Sequence, residues 1–142
     1  PIYVSLEKID VRLVDAAKDL YSTSVSAFRK VVLPLSISGV FDLEPLRHAP
    51  FLQADLRLTP ASVKRLSPAF FPRPKGRLYA TVGALESDEF LRQNQLIRDV
   101  WGPTAVPVCE TVAQRNHFDV LESLVDPAGR LHELTLRLLG LR

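Results

Sequence analysis

Apolar side chains recur at helical spacing through the first 30 residues of the chain. Leu6, Ile9 and Leu13 follow one another at intervals of three and four residues, the spacing of one face of an α-helix. A polar break at 22–24 offers hydroxyl groups that can cap a second helix, and Pro34 argues against extending that helix further. The pattern predicts an N-terminal pair of helices.

After this helical pair, short apolar runs alternate with helical patterns. Strands are predicted over 31–38, 77–82 and 105–110. Helices are predicted over 60–66, 87–101, 118–125 and 128–139. The stretch 41–58 has no clear period and is predicted to be a loop. Strands that alternate with helices are typical of parallel sheets with right-handed crossovers. The predicted fold class is therefore α/β, with a short parallel sheet of about three strands, flanking helices and the N-terminal helical pair.

The predicted strand over 31–38 lies at an edge of this small sheet, and it is apolar and free of charge. An unpaired edge of this kind is a template for pairing with another chain. Pro34 removes only one backbone donor from that edge. We therefore expect the protein to form a homo-oligomer.

Composition and charge exclude several classes of protein. Of the 142 residues, 46% are hydrophobic and 24% are charged, as in ordinary soluble domains. The 18 basic and 16 acidic residues are mixed along the chain, which argues against a nucleic-acid partner. No apolar run approaches the roughly 18–20 residues that span a bilayer, so no membrane span is predicted. Cys109 is the only cysteine, and no signal-peptide pattern is present, so we expect a cytoplasmic protein. No cofactor is predicted.

Polar residues follow each predicted strand, at the edge of an open α/β sheet where function usually lies. Glu86 comes after the second strand and His117 after the third. Neighbouring strands are about 5 Å apart, so this carboxylate can orient the imidazole, and His117 can act as a general base towards a serine. Two plainer interpretations stay open. A glutamate that opens a helix is favoured by the helix dipole alone, and a single loop histidine is often only a surface group.

Four segments carry a resemblance to a known family. They are SGVFDLEPL at 38–46, LSP at 66–68, GALESDEFLRQ at 83–93 and NHFD at 116–119. In order and spacing they resemble the kynurenine formamidase (arylformamidase) branch of the α/β-hydrolases. The resemblance implies that residues 36–142 are the C-terminal part of such a fold, with Glu86 as triad acid and His117 as base. It also implies a small ester or formamide substrate.

The chain departs from that family at the nucleophile. The G-x-S-x-G elbow of α/β-hydrolases does not occur in the sequence. Ser36 and Ser38 follow the first predicted strand but lack the flanking glycines, and the upstream oxyanion motif is absent too. We therefore expect a hydrolase-like segment that retains the acid and the histidine but is inactive alone.

The N-terminal segment resembles a different family. The strings SLEKID at 5–10, DAAKDL at 15–20 and AFRKVVLPL at 27–35 resemble the cytoplasmic coupling loop of spermidine/putrescine-type ABC-transporter permeases, although Tyr21 replaces the usual glycine. That resemblance implies a helix-turn-helix that docks on an ATPase subunit. The predicted organisation is a hybrid chain, with a permease-loop-like segment at 1–35 and a hydrolase-like segment at 36–142. The alternative function is a non-enzymatic module that docks on an ATPase subunit.

Overall fold

The computed structural model describes residues 35–141, and the predicted N-terminal helices lie outside them. In chain order the elements are β1 (Leu35–Ile37), α1 (Glu44–Arg47), α2 (Pro50–Leu56), α3 (Pro60–Leu66), a 3-10 turn (Pro68–Phe70), β2 (Tyr79–Gly83), α4 (Asp88–Ala105), β3 (Val108–Val112), α5 (Glu122–Val125) and α6 (Arg130–Leu139). Among these residues, no helix is long and apolar enough to cross a membrane.

The three strands of the described part form one parallel sheet in the order β1-β2-β3. Leu35 pairs with Tyr79, and Tyr79 pairs in turn with Val108. The predicted α/β class and the small three-stranded parallel sheet are confirmed. Because all strands run in the same direction, their carboxyl ends meet at a single edge. The division of the chain near residue 35 and its cytoplasmic location stay predictions.

The central strand β2 is buried on both faces, as is usual in parallel sheets. Its residues Ala80, Thr81 and Val82 are fully excluded from solvent. A first apolar cluster packs β2 against α4 and the segment after β1; its members are Phe41, Ala69, Leu78, Ala80, Ile97, Ala105 and Val106. A second cluster joins β3 to the C-terminal helices; its members are Val112, Val120 and Leu131. The sheet is therefore the middle layer of the described fold.

The buried side chain of Gln93 fixes the chain that follows β1 onto α4. Its Oε1 accepts hydrogen bonds of 2.8 Å from the backbone N–H groups of both Phe41 and Asp42. Its Nε2 donates to the carbonyl of Asp42 and to the carboxylate of Glu89. One buried amide thus satisfies three backbone groups that would be costly to bury unpaired. The segment after β1 is held against the first turns of α4.

The predicted loop over 41–58 was wrong, because α1 and α2 lie within it. Both helices are too short, at four and seven residues, to show helical periodicity. Each has a proline in its first turn, Pro45 in α1 and Pro50 in α2. Proline is favoured there because its ring sets a helical φ and the missing N–H has no helical partner. These prolines were the available signal.

Several element boundaries also differ from the prediction. The predicted helix over 118–125 is shorter, since only α5 is helical there. Helix α4 continues past its predicted end to Ala105, with a non-helical kink at Gly102 (φ 77°, ψ 166°). Strand β3 begins three residues later than predicted, at Val108. The predicted helix from Thr59-Pro60 is confirmed as α3, with a capping box between Thr59 and Ser62.

We expect the full chain to be a dimer or larger assembly at micromolar concentration. Strand β1 is an edge of the described sheet and is only half-buried along its length. An edge strand left unpaired can hydrogen-bond to a second chain. Size-exclusion chromatography with light scattering measures the assembly. A monodisperse monomer that melts cooperatively above about 60 °C would mean that the edge is already closed.

Candidate active site

The carboxyl ends of the three strands bring the predicted site residues together. Ser38 directly follows β1, and Gly83 is the last residue of β2. Glu86 comes three residues after the end of β2, and His117 lies in the loop after β3. The order of the strands therefore places both predicted site residues at one edge of the sheet. The catalytic role of Glu86 and His117 stays a prediction.

Glu86 and His117 form a hydrogen-bonded pair. Nδ1 of His117 lies 2.7 Å from Oε2 of Glu86. The side chain of Glu86 is fully buried, whereas that of His117 is 46% exposed. Nδ1 is placed to donate to this carboxylate, because an ionised carboxylate can only accept hydrogen bonds. That tautomer leaves Nε2 without a proton, which is the form a general base requires.

The other oxygen of the Glu86 carboxylate accepts two further hydrogen bonds. The backbone N–H of Gly83 donates to Oε1 over 2.8 Å, and the hydroxyl of Ser38 donates to it over 2.5 Å. With His117, three donors converge on one buried carboxylate. A buried charge is tolerated only when it is hydrogen-bonded in this way. The two donors on Oε1 leave Oε2 for the imidazole.

Gly83 lets the loop after β3 approach the end of β2. A Cβ atom added to Gly83 would lie 2.4 Å from the carbonyl oxygen of Arg115 and 3.1 Å from Oε1 of Glu86. That carbonyl accepts a 2.9 Å hydrogen bond from the backbone N–H of Leu85. A side chain at position 83 would push the loop away. The absence of a side chain there thus allows His117 to reach Glu86.

A compact turn sets the position of His117 in its loop. The carboxylate of Asp119 accepts a 2.6 Å hydrogen bond from the backbone N–H of Asn116. The side-chain carbonyl of Asn116 accepts a 2.8 Å hydrogen bond from the backbone N–H of Phe118. The backbone on both sides of His117 is therefore anchored by side chains within four residues.

Two phenylalanines flank the imidazole. The ring of Phe90, in the first turns of α4, stacks on that of His117 with centroids 4.6 Å apart. Phe118 meets the same ring edge-on at 5.9 Å, and this residue is 90% exposed. The imidazole of His117 therefore contacts an aromatic ring on each of two sides and remains partly exposed to solvent.

The carboxylate of Glu89, in the first turn of α4, is ion-paired with Arg92. The guanidinium of Arg92 hydrogen-bonds Glu89 and holds the pKa of that carboxyl below its ordinary value, against a smaller opposing effect of burial. Arg92 also reaches Asp42 over 3.3 Å. Of the carboxylates near the first turns of α4, Glu86 is the one that hydrogen-bonds a histidine. The other histidines, His48 and His132, instead contact Glu44 and the carbonyl of Leu124.

Cys109 is not arranged as a reactive group. Burial raises the pKa of its thiol, while the charge of Arg98 acts in the opposite direction. The thiol donates to the carbonyl of Asn94 over 3.3 Å, so it is engaged between β3 and α4 rather than with the Glu86–His117 pair. Within residues 35–141, no group of three or more His, Cys, Asp or Glu side chains is placed to hold a metal ion.

The sequence predicted Glu86 and His117 as site residues, and the structure brings them together, but the prediction missed the groups that position them. The sequence pattern raises Ser36 and Ser38 only as candidate nucleophiles. The structure directs the hydroxyl of Ser38 towards Glu86 rather than His117, so His117 does not activate it. The signal that was available is that Ser38 and Gly83 both stand at strand ends within the segments that carry the hydrolase resemblance.

Comparison with known proteins supports the resemblance to spermidine/putrescine-type permeases in part. The chain is 42% identical over 40 residues to the spermidine/putrescine transport system permease protein PotB of Haemophilus influenzae. It is 38% identical over 40 residues to the protein of the same name in Escherichia coli K12. The matched stretch is 28% of this chain and 14% of each of these relatives. No protein-family model and no solved structure matches the chain, and nothing in the comparisons supports the hydrolase resemblance.

We expect Gly83→Ala to lower the free energy of unfolding by about 1–3 kcal/mol, because the added methyl group overpacks the loop after β3. Urea denaturation measures this change. Gly76→Ala is the matched control, since nothing lies within 4 Å of a Cβ added there, and we expect a change below about 0.5 kcal/mol. Equal, small effects of the two substitutions would contradict the close approach at Gly83.

Proposed function

We propose that residues 36–142 form the acid–base part of an α/β-hydrolase active site of the arylformamidase or carboxylesterase type. The observation that carries the proposal is the 2.7 Å hydrogen bond between Nδ1 of His117 and the buried carboxylate of Glu86. Its place at the carboxyl ends of parallel strands adds support, because ligands of open α/β sheets bind at that edge.

The chemistry of the proposed pair is general acid–base catalysis. Unprotonated Nε2 of His117 takes a proton from a nucleophilic hydroxyl group and later gives it to the leaving group. Glu86 holds the tautomer and stabilises the imidazolium that forms between these steps. The substrate would be a small ester or formamide, and the exposed ring of Phe118 suits its aryl or acyl group.

The proposed pair has no nucleophile of its own. The sequence lacks the G-x-S-x-G elbow, and the hydroxyl of Ser38 is engaged with Glu86. On this proposal the nucleophile comes from another chain. We expect the chain alone to have no serine-hydrolase turnover.

We expect the isolated chain to hydrolyse p-nitrophenyl acetate no faster than free imidazole does, per histidine. Loss of one oxyanion donor alone costs about 10²–10³ in rate, and loss of the nucleophile costs more. A serine-directed fluorophosphonate probe, followed by mass spectrometry, should leave the protein unlabelled. Stoichiometric labelling of any serine would overturn this expectation.

We expect the neutral ring of His117 to carry its proton on Nδ1, as measured by ring-nitrogen NMR at about pH 9, where histidine is neutral. Glu86→Gln replaces a charged acceptor by an amide and should lower the ratio of the Nδ1–H to the Nε2–H tautomer at least tenfold, roughly the worth of one charge-assisted hydrogen bond. Asp88→Asn is the control, because Asp88 is exposed and the hydrogen bond of His117 is with Glu86 instead. A wild-type ring protonated on Nε2 would refute the acid–base pair.

A second candidate function concerns the N-terminal segment, and the comparisons favour it. We propose that residues 1–35 derive from the coupling loop of an ABC permease and dock on the ATPase subunit of such a transporter. The support is the 40-residue match to two permease proteins named for spermidine/putrescine transport. The match is about as long as the segment that carries the resemblance. On this proposal the chain is a hybrid of a permease-derived and a hydrolase-like segment.

We expect the full chain to bind the purified ATPase subunit of a spermidine/putrescine-type transporter in biolayer interferometry. Replacing Ala16 and Ala17 together by Asp should weaken binding about tenfold or more, because the proposed docking segment would gain two unpaired charges. The control variant His117→Ala changes only the hydrolase-like segment and should bind like wild type. Absence of binding at tens of micromolar, or equal effects of both variants, would contradict the docking role.

A further inference from the structure

Ser38 adopts a backbone conformation that serine rarely takes. Its φ of 53° lies in the left-handed region, directly after β1 and before Gly39. Residues with a Cβ atom are uncommon there, and glycine would adopt the same conformation without strain. Strained residues persist where the surrounding structure enforces them, and they concentrate at functional sites. The position of Ser38 therefore calls for an explanation from its side chain.

A backbone hydrogen bond to β2 and close packing of the turn at Gly39 hold Ser38 in this conformation. Its backbone N–H donates a 2.8 Å hydrogen bond to the carbonyl of Thr81. The buried hydroxyl of Thr81 in turn donates to the carbonyl of Ser36 over 3.1 Å. A Cβ atom added to Gly39 would lie 2.3 Å from Oγ of Ser36 and 2.6 Å from the ring of Phe41. The turn after β1 is thus tightly packed, and its geometry directs the side chain of Ser38.

The hydroxyl of Ser38 is aimed at the acid of the proposed site. It donates to Oε1 of Glu86 over 2.5 Å, across 48 residues of sequence. With the N–H of Gly83 it places two donors on Oε1, so that Oε2 faces Nδ1 of His117. Without this hydroxyl, Oε1 would keep a single donor, and the carboxylate could turn about its terminal bond. The hydrogen bond to His117 would then lose its fixed acceptor.

We propose that Ser38 is a positioning residue that orients the carboxylate of Glu86 towards His117 and so selects the Nδ1–H tautomer. The inference rests on the function proposed above, in which that tautomer makes His117 a general base. Ser38 acts through Glu86 and does not touch the proposed reacting atoms. This assigns the serine to the acid side of the site, in contrast to a nucleophile, which would hydrogen-bond the imidazole.

The test is the tautomer ratio of His117 in the ¹⁵N-labelled full chain, with Ser38→Ala and Ser38→Gly compared with wild type. Ser38→Gly removes the hydroxyl and also relieves the left-handed strain, so it keeps the test valid if Ser38→Ala folds poorly. Ser36→Ala is the control, because Ser36 makes no hydrogen bond with Glu86. We expect both Ser38 variants to lower the ratio of Nδ1–H to Nε2–H tautomers about tenfold, and the control to keep the wild-type ratio.

The outcomes separate this inference from the proposed function. A wild-type ring that is not in the Nδ1–H form refutes the acid–base pair, and the role of Ser38 with it. A wild-type ring in that form, with an unchanged ratio in Ser38→Gly, overturns the role of Ser38 alone. A loss in Ser38→Ala that Ser38→Gly restores also overturns it, since strain rather than the hydroxyl would then set the tautomer.

Discussion

The carboxylate of Glu86 links the ends of the three strands in the described part of the structure. Its side chain is fully buried, and burial of an ionised group without partners costs several kcal/mol. Three donors offset that cost: Ser38 after β1, Gly83 at the end of β2 and His117 after β3. One carboxylate thus joins the carboxyl ends of all three strands of the described sheet.

Other features of the fold follow from this constraint. Gly83 must lack a side chain because the carbonyl of Arg115 lies too close for one. Gln93 anchors the segment after β1, and the turn between Asn116 and Asp119 anchors the loop after β3. These contacts stabilise the sheet edge and also set the geometry of the Glu86–His117 pair, so stability and the geometry of this pair are linked there.

Part of the fold and site was predictable because local signals were strong. Thr59-Pro60 marked α3, and alternation of apolar runs with helices indicated a parallel sheet, which places Glu86 and His117 at one edge. The predicted start of strand β3 was three residues too early. Ala105 and Val106 are apolar, as in a strand, but they lie at the end of α4 and pack in the core. The strand-end position of Ser38 was visible in the sequence, but its hydrogen-bond partner was not, since Glu86 is 48 residues away and hydroxyl–carboxylate pairs have no fixed spacing.

A double-mutant cycle between Ser38 and His117 tests most directly whether Glu86 unites the strand ends. These two residues make no hydrogen bond with each other, and both bond to Glu86. We predict that the effects of Ser38→Ala and His117→Ala on the free energy of unfolding are non-additive by about 1 kcal/mol, as for members of one hydrogen-bond network. Ser38→Ala with His132→Ala, outside the network, should be additive. Additivity of the first pair within about 0.3 kcal/mol would contradict the account.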